Sequence, residues 1–205
     1  MKTIITKLIF AVTLVTAAPV FAQTPLNLDV AHTFKTYGFP YYCVRGGKKV
    51  PCAAFVPKCL DIAGGDKSIG TPIVQFTCQN SPNQFFWIVP VSLTGNTVQI
   101  QSDMDRTKCV GVDLAPDTGS TVPRYANSGL PLKLKPCLDS TGAIDVSVRW
   151  KLDKIDTPTT IVAYAKSKDD TDSCIDVPGF GTADSLWLQI FTCNSGSNQR
   201  WTISR

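Results

Sequence analysis

Short stretches of strict alternation run through most of this chain. Residues 97–101 read Thr-Val-Gln-Ile-Gln and residues 160–164 read Thr-Ile-Val-Ala-Tyr; each run precedes a Cys at a similar distance, Cys109 and Cys174. Residues 132–135, Leu-Lys-Leu-Lys, and 188–191, Leu-Gln-Ile-Phe, lead into Cys137 and Cys193. A period of two, bounded by Gly, Pro and Asp, predicts short half-buried strands. Residues 39–50 carry aromatics and Cys43, then the turn pair Gly46-Gly47, and Cys52 follows, which predicts a small disulfide-closed hairpin. Beyond the first residues, no segment has the 3.6-residue apolar period of a long amphipathic helix. Strands this short and regularly spaced predict an all-β barrel or sandwich.

A longer period lies over the alternation. Cys59-Leu60-Asp61 is followed by Cys78 and then Asn83-Gln84-Phe85-Phe86-Trp87. Cys174-Ile175-Asp176 is followed by Cys193 and then Asn198-Gln199-Arg200-Trp201. A degraded copy between them runs from Cys109 through Cys137 to Val148-Arg149-Trp150, with a polar insertion at residues 122–129. Three copies predict internal repetition, each unit burying its apolar face against the other two.

Composition sharpens this picture. All sixteen acidic residues are Asp, and Asp favours turns where Glu favours helices. Lys2 and Lys7, the apolar residues 8–15 and the small-residue site Val20-Phe21-Ala22 predict a signal peptide over 1–22. The chain is therefore expected to be secreted, outside the cell or periplasmic before release. No later run reaches the roughly 20 apolar residues of a membrane span. Without Lys2 and Lys7 the formal charge falls from +4 to +2, too little to argue for nucleic acid or an anionic membrane. Residues 23–38 show no periodicity and are read as an N-terminal arm, a candidate contact for a partner.

Eight Cys in an exported chain predict a disulfide framework. The repeat pairs Cys59–Cys78, Cys109–Cys137 and Cys174–Cys193 within copies and leaves Cys43 and Cys52 for each other. The lone His32 and the lack of any CxxC pair speak against a metal site, and no cofactor is expected. A single imidazole, in the arm, also speaks against Ser-His-Asp or Cys-His catalysis, and the chain is not expected to be an enzyme.

The combination Cys-Leu/Ile-Asp, then Gln-x-aromatic-x-Cys, then Asn-Gln-x-Trp, repeated threefold, resembles the ricin B-type lectins. The resemblance covers residues 39–205 and implies a β-trefoil with lobes at about 39–92, 93–155 and 156–205. It also implies carbohydrate-binding residues. In the third lobe these are Asp176 and Asn198 on sugar hydroxyls, Gln189 beside them, Phe191 as a stacking face, and Gln199 orienting Asp176, with Trp201 in the core. A partial second site would hold Asp61, Phe76, Asn83 and Gln84, with Val74 where the third lobe has Gln189. In the middle lobe Gly111, Lys133, Lys135 and Val148 stand at the site positions, so that lobe is expected to be structural. The chemistry is coherent: vicinal hydroxyls donate to a carboxylate and accept from amides, while the C–H face of a sugar lies on a ring. The expected function is an exported lectin for cell-surface or extracellular glycans. The alternative is the receptor-binding subunit of a multi-subunit bacterial toxin, similar to those of cytolethal distending toxins, with a catalytic subunit as partner.

Overall fold

The computed structural model describes residues 30–37, 42–45, 47–51, 56–92, 95–114, 124–155 and 157–205. Among them are fifteen strands and five short 3-10 turns, and no α-helix. Twelve strands fall into three sets of four. The first lobe has β1 (Thr33–Thr36), β4 (Lys58–Ile62), β5 (Ile73–Thr77) and β6 (Phe86–Pro90). The second has β7 (Thr97–Ser102), β8 (Lys108–Val112), β9 (Leu132–Pro136) and β10 (Trp150–Leu152). The third has β11 (Ile161–Ala163), β12 (Ser173–Asp176), β14 (Gln189–Thr192) and β15 (Trp201–Ser204). Outside this scheme lie the hairpin β2 (Tyr42–Arg45) with β3 (Lys48–Pro51), and the two-residue β13 (Leu186–Trp187).

The first and fourth strands of the lobes close a ring. The fourth strand of each lobe pairs with the first of the next: β6 with β7, β10 with β11, and β15 with β1. Within each lobe the ring is completed by Trp150↔Val98, His32↔Phe86 and Thr159↔Trp201. The second and third strands form the hairpins β4–β5, β8–β9 and β12–β14. A six-stranded closed barrel with three hairpins in threefold arrangement is a β-trefoil, and closure leaves the barrel without edge strands.

Inward positions of these strands make one core. Phe34, Phe86, Trp150 and Trp201 are fully buried in it with a shell of Ile, Val and Leu. Phe86, Trp150 and Trp201 occupy the same place in the three lobes. Each buried indole has its N–H satisfied, as burial requires: Trp150 Nε1 donates to Val110 O at 2.9 Å and Trp201 Nε1 to Ile175 O at 3.2 Å. Three disulfides, Cys59–Cys78, Cys109–Cys137 and Cys174–Cys193, pair within the lobes as the repeat predicts. Each joins the start of a lobe's hairpin to the segment leaving it.

The N-terminal boundary differs from the sequence reading. Residues 33–36, assigned there to an arm ending at 38, form β1, paired along its length with β15 and at Lys35↔Cys59 with β4. Four residues are too few to show a period, and here Thr33 and Thr36 are buried as well. Thr33 Oγ1 donates to Ser204 O at 3.2 Å, and Thr36 Oγ1 accepts from Lys58 N at 2.9 Å. The predicted 39–50 hairpin is present as β2–β3, with a positive-φ Gly47 at its turn. The predicted signal peptide at 1–22 and the Cys43–Cys52 bridge lie outside the described residues. Among the described residues no helix is long and apolar enough to cross a membrane, and no His, Cys or acidic cluster is arranged for a metal ion.

Candidate functional site on the third lobe

Strand register sets the site. On β12 and β14, Asp176 lies opposite Gln189 and Cys174 opposite Phe191, so all four project from one face. Ile175 and Ile190, between them, are fully buried in the core. The 3-10 turn Ser197–Gln199 then brings two amides onto the same carboxylate. Asn198 Nδ2 donates to Asp176 Oδ2 at 2.7 Å, Gln199 Nε2 to the same oxygen at 3.1 Å, and Gln189 Nε2 to Oδ1 at 3.0 Å. Gln199 is itself fixed: its Nε2 also reaches Thr192 O at 3.0 Å, and its Oε1 accepts from Asn194 N at 2.9 Å. Asn198 also donates to Val177 O at 3.2 Å, while its Oδ1 is buried without a hydrogen-bond partner.

The structure therefore brings together all five third-lobe residues singled out in the sequence. Their exposure is graded. Asp176 is 2% exposed, Asn198 and Gln199 are buried, Gln189 is half-buried, and Phe191 is 41% exposed. The carboxylate lies at the bottom of the arrangement and the ring at its rim. Burial raises the Asp176 pKa, and the three amide hydrogen bonds offset this only in part. None of the five lines the hollow of about 460 Å³ that lies instead among second-lobe residues such as Gln99, Arg106 and Leu138.

The first lobe repeats part of this. Asp61 lies opposite Val74, and Phe76 opposite Cys59. Gln84 Nε2 donates to Asp61 Oδ2 at 2.8 Å and to Thr77 O at 3.0 Å, and its Oε1 accepts from Gln79 N at 2.8 Å, matching Gln199 bond for bond. Asn83 donates to Ile62 O at 3.2 Å. Burial again raises the carboxyl pKa, here with Asp184 nearby adding to the rise. In the second lobe Gly111 lies opposite Lys133. A Cβ at Gly111 would come within 2.8 Å of Lys135 Cδ and 2.9 Å of Val148 Cγ1. Aliphatic carbon fills the place of the carboxylate.

Two features escaped the sequence reading. Gly64 and Gly179, each three residues past the Asp, hold positive φ of 63° and 59° in 3-10 turns beside the carboxylate. Trp187 is 53% exposed, two residues before Gln189. The outward parity of residues 187, 189 and 191 would have found it, had the strand been extended two residues back.

The chain is a β-trefoil. Solved structures of the same fold include the designed threefold-symmetric ThreeFoil, with a TM-score of 0.56 and 16% identity over 85% of this chain and 98% of that one. The Rhizoctonia solani agglutinin gives 0.56 and 17% over 88% of this chain and 99% of the agglutinin. The exo-β-1,3-galactanase 1,3Gal43A from Clostridium thermocellum gives 0.59 and 19%, with 86% of this chain matching 30% of the enzyme. No family model matches the chain. No curated protein matches it either.

Proposed function

We propose that this protein is an exported, non-catalytic lectin that binds glycans chiefly through its third lobe. The observation that carries this reading is the Asp176 carboxylate, held on one strand face by Gln189, Asn198 and Gln199 and flanked by the exposed Phe191 ring. A carboxylate has about four acceptor positions, and three are used here. A sugar hydroxyl takes the fourth, or displaces Gln189, the least buried of the three amides. The orphan Asn198 Oδ1 is an acceptor whose donor the protein does not supply. The shallow form of the site implies weak binding of single sugars, with avidity on glycan surfaces. Asp61, Phe76, Asn83 and Gln84 form a second, altered site. Three disulfides suit an extracellular setting.

The test is a glycan array with the mature protein beside Asp176→Ala. Glycan binding should be present and should fall at least about tenfold in the variant, the cost of a lost charge-assisted hydrogen-bond set. Unchanged binding in Asp176→Ala would remove the third lobe from the function.

A second reading, a toxin's receptor-binding subunit, is favoured by the β2–β3 hairpin, which breaks the threefold pattern and offers a docking element for a catalytic partner chain. A mosquitocidal holotoxin contains this fold, matching 86% of this chain over 17% of its own length at a TM-score of 0.55 and 12% identity. Co-purification of a catalytic chain, lost on deleting residues 42–51, would support it.

A further inference from the structure

The loop leaving β12 does not stay on its own lobe. It crosses to the first lobe, where β13 pairs with β5 at Leu186↔Gln75 and Trp187↔Val74. The crossing is clamped at several points. Gln75 Nε2 donates to Gly181 O and Ala183 O, both at 2.9 Å. Asp184 Oδ1 accepts from Thr77 N at 2.7 Å and pairs with Lys58 Nζ at 2.7 Å. Ser185 N donates to Gln75 O and Leu188 N to Ile73 O, both at 2.9 Å. Residues 181–187 thus pack along the first lobe's strand β5, while Leu188 O also accepts from Leu132 N of the second lobe.

Residues directly opposite on neighbouring strands share a face, so Trp187, Val74 and Asp61 form one row across β13, β5 and β4. Two strand spacings put the Trp187 and Asp61 backbones roughly 10 Å apart, with the buried Val74 between them. The threefold relation makes the row distinctive. The corresponding rows are Pro72–Lys133–Gly111 in the second lobe and Pro131–Gln189–Asp176 in the third. Only the first lobe has an indole at this position, more than half exposed, and only there is the middle position apolar.

We propose that Trp187 completes a sugar site on the first lobe, built across two lobes and selective for sugars bearing a methyl group. The proposal rests on the glycan reading above. Asp61, with Gln84 behind it, takes hydroxyls, as Asp176 does with Gln199. Val74 cannot donate where Gln189 does. Its side chain, 2% exposed, closes the base of the row, and the half-buried Phe76 and exposed Trp187 offer the apolar surface that suits a ligand methyl, whether of an acetamido group or of a 6-deoxy sugar.

The test is site-resolved: ¹H–¹⁵N spectra of the mature protein titrated with N-acetylgalactosamine, N-acetylglucosamine, L-fucose and galactose. The Trp187 indole cross-peak reports the first lobe, and the Gln189 and Asn198 side-chain amides report the third. The indole peak should shift with an N-acetylated sugar or with fucose, and the responding sugar identifies the source of the methyl. Galactose should shift it less. The shift should persist in Asp176→Ala and vanish in Asp61→Ala. Trp187→Ala should weaken binding of the same sugar roughly three- to tenfold, as loss of one stacking partner predicts, with Trp187→Phe recovering most of it. An indole peak silent to every methyl-bearing sugar would overturn the proposal. So would a shift kept in Asp61→Ala and lost in Asp176→Ala, which would give the ring to the third lobe. Failure of the third-lobe reading registers separately, as unmoved Gln189 and Asn198 amides.

Discussion

At the scale of single residues, the ionisation of Asp176 is the sensitive quantity. Its folded pKa is raised from the ordinary 3.8, with burial the largest cause. Between the unfolded and folded pKa the folded state binds more protons, so this group's contribution to stability declines as pH rises through that window. Ligand binding runs the other way. An ionised carboxylate accepts from sugar hydroxyls and a protonated one loses much of that capacity. Glycan affinity should therefore be full at neutral pH and fall as the medium is acidified. Its midpoint should lie above 3.8, because the carboxyl takes up its proton at a higher pH than an ordinary Asp. Isothermal titration of one array-positive glycan between about pH 3.5 and 7 measures this. A flat profile, or a midpoint below that of an unperturbed carboxylate, would show that the ligand does not use this group.

At the scale of elements, the 181–188 crossing shows how one lobe's loop becomes part of another's surface. Asp184 is its main anchor, but its side chain is 37% exposed, so solvent screens the pair with Lys58. Asp184→Ala should cost less than about 1 kcal/mol of global stability. Its effect should be local: the Thr77 amide, whose N–H it accepts, should exchange with solvent markedly faster while the core strands keep their protection. Hydrogen exchange by mass spectrometry resolves this, and uniform protection across residues 75–78 would refute the anchoring role. The elements also divide what the sequence could and could not reveal. The alternation in residues 97–101 and 132–135 predicted β7 and β9 because each turns its apolar residues into the core and its polar residues to the other face, where even Gln99 is buried but hydrogen-bonded to Cys137 O. The Cys-x-Asp and Asn-Gln-x-Trp spacings gave the third-lobe cluster because all its members lie within one lobe's local chain path. The crossing loop was not legible. Trp187 acquires its neighbours from β5, over a hundred residues earlier, and nothing local in Ser185-Leu186-Trp187 specifies that pairing. The closure of the Gly111 position was likewise hidden, since it depends on where the Lys135 stem and Val148 lie.

At the scale of the whole molecule, barrel closure depends on the shortest and least recognisable element. β1 closes the ring, paired with β15 along its length and reaching β6 through His32↔Phe86, and it carries Phe34, fully buried and edge-on to Phe86 with ring centroids 5.9 Å apart. The three disulfides lie within lobes, so none ties β1 to the rest of the barrel. Its attachment is non-covalent, through main-chain pairing and one large side chain in the common core. Truncating that ring leaves a cavity in the common core, and Phe34→Ala should cost about 3–5 kcal/mol. This is a large share of the roughly 5–15 kcal/mol that holds a typical domain folded. A chain starting at residue 39 should fare worse, exposing the pairing edges of both β15 and β4. Urea denaturation compares the unaltered protein, Phe34→Ala and the residue-39 start. The expected order of midpoints is the unaltered protein highest, then the point variant, then the truncation. Coincident midpoints for all three would mean that the barrel closes without β1. Phe34 lies far from the Asp176 cluster in sequence, yet Thr36 pairs with Trp201, two residues beyond Gln199. Loosening β1 should therefore also lower glycan affinity, because the turn that carries Asn198 and Gln199 runs directly into the strand β1 holds in place.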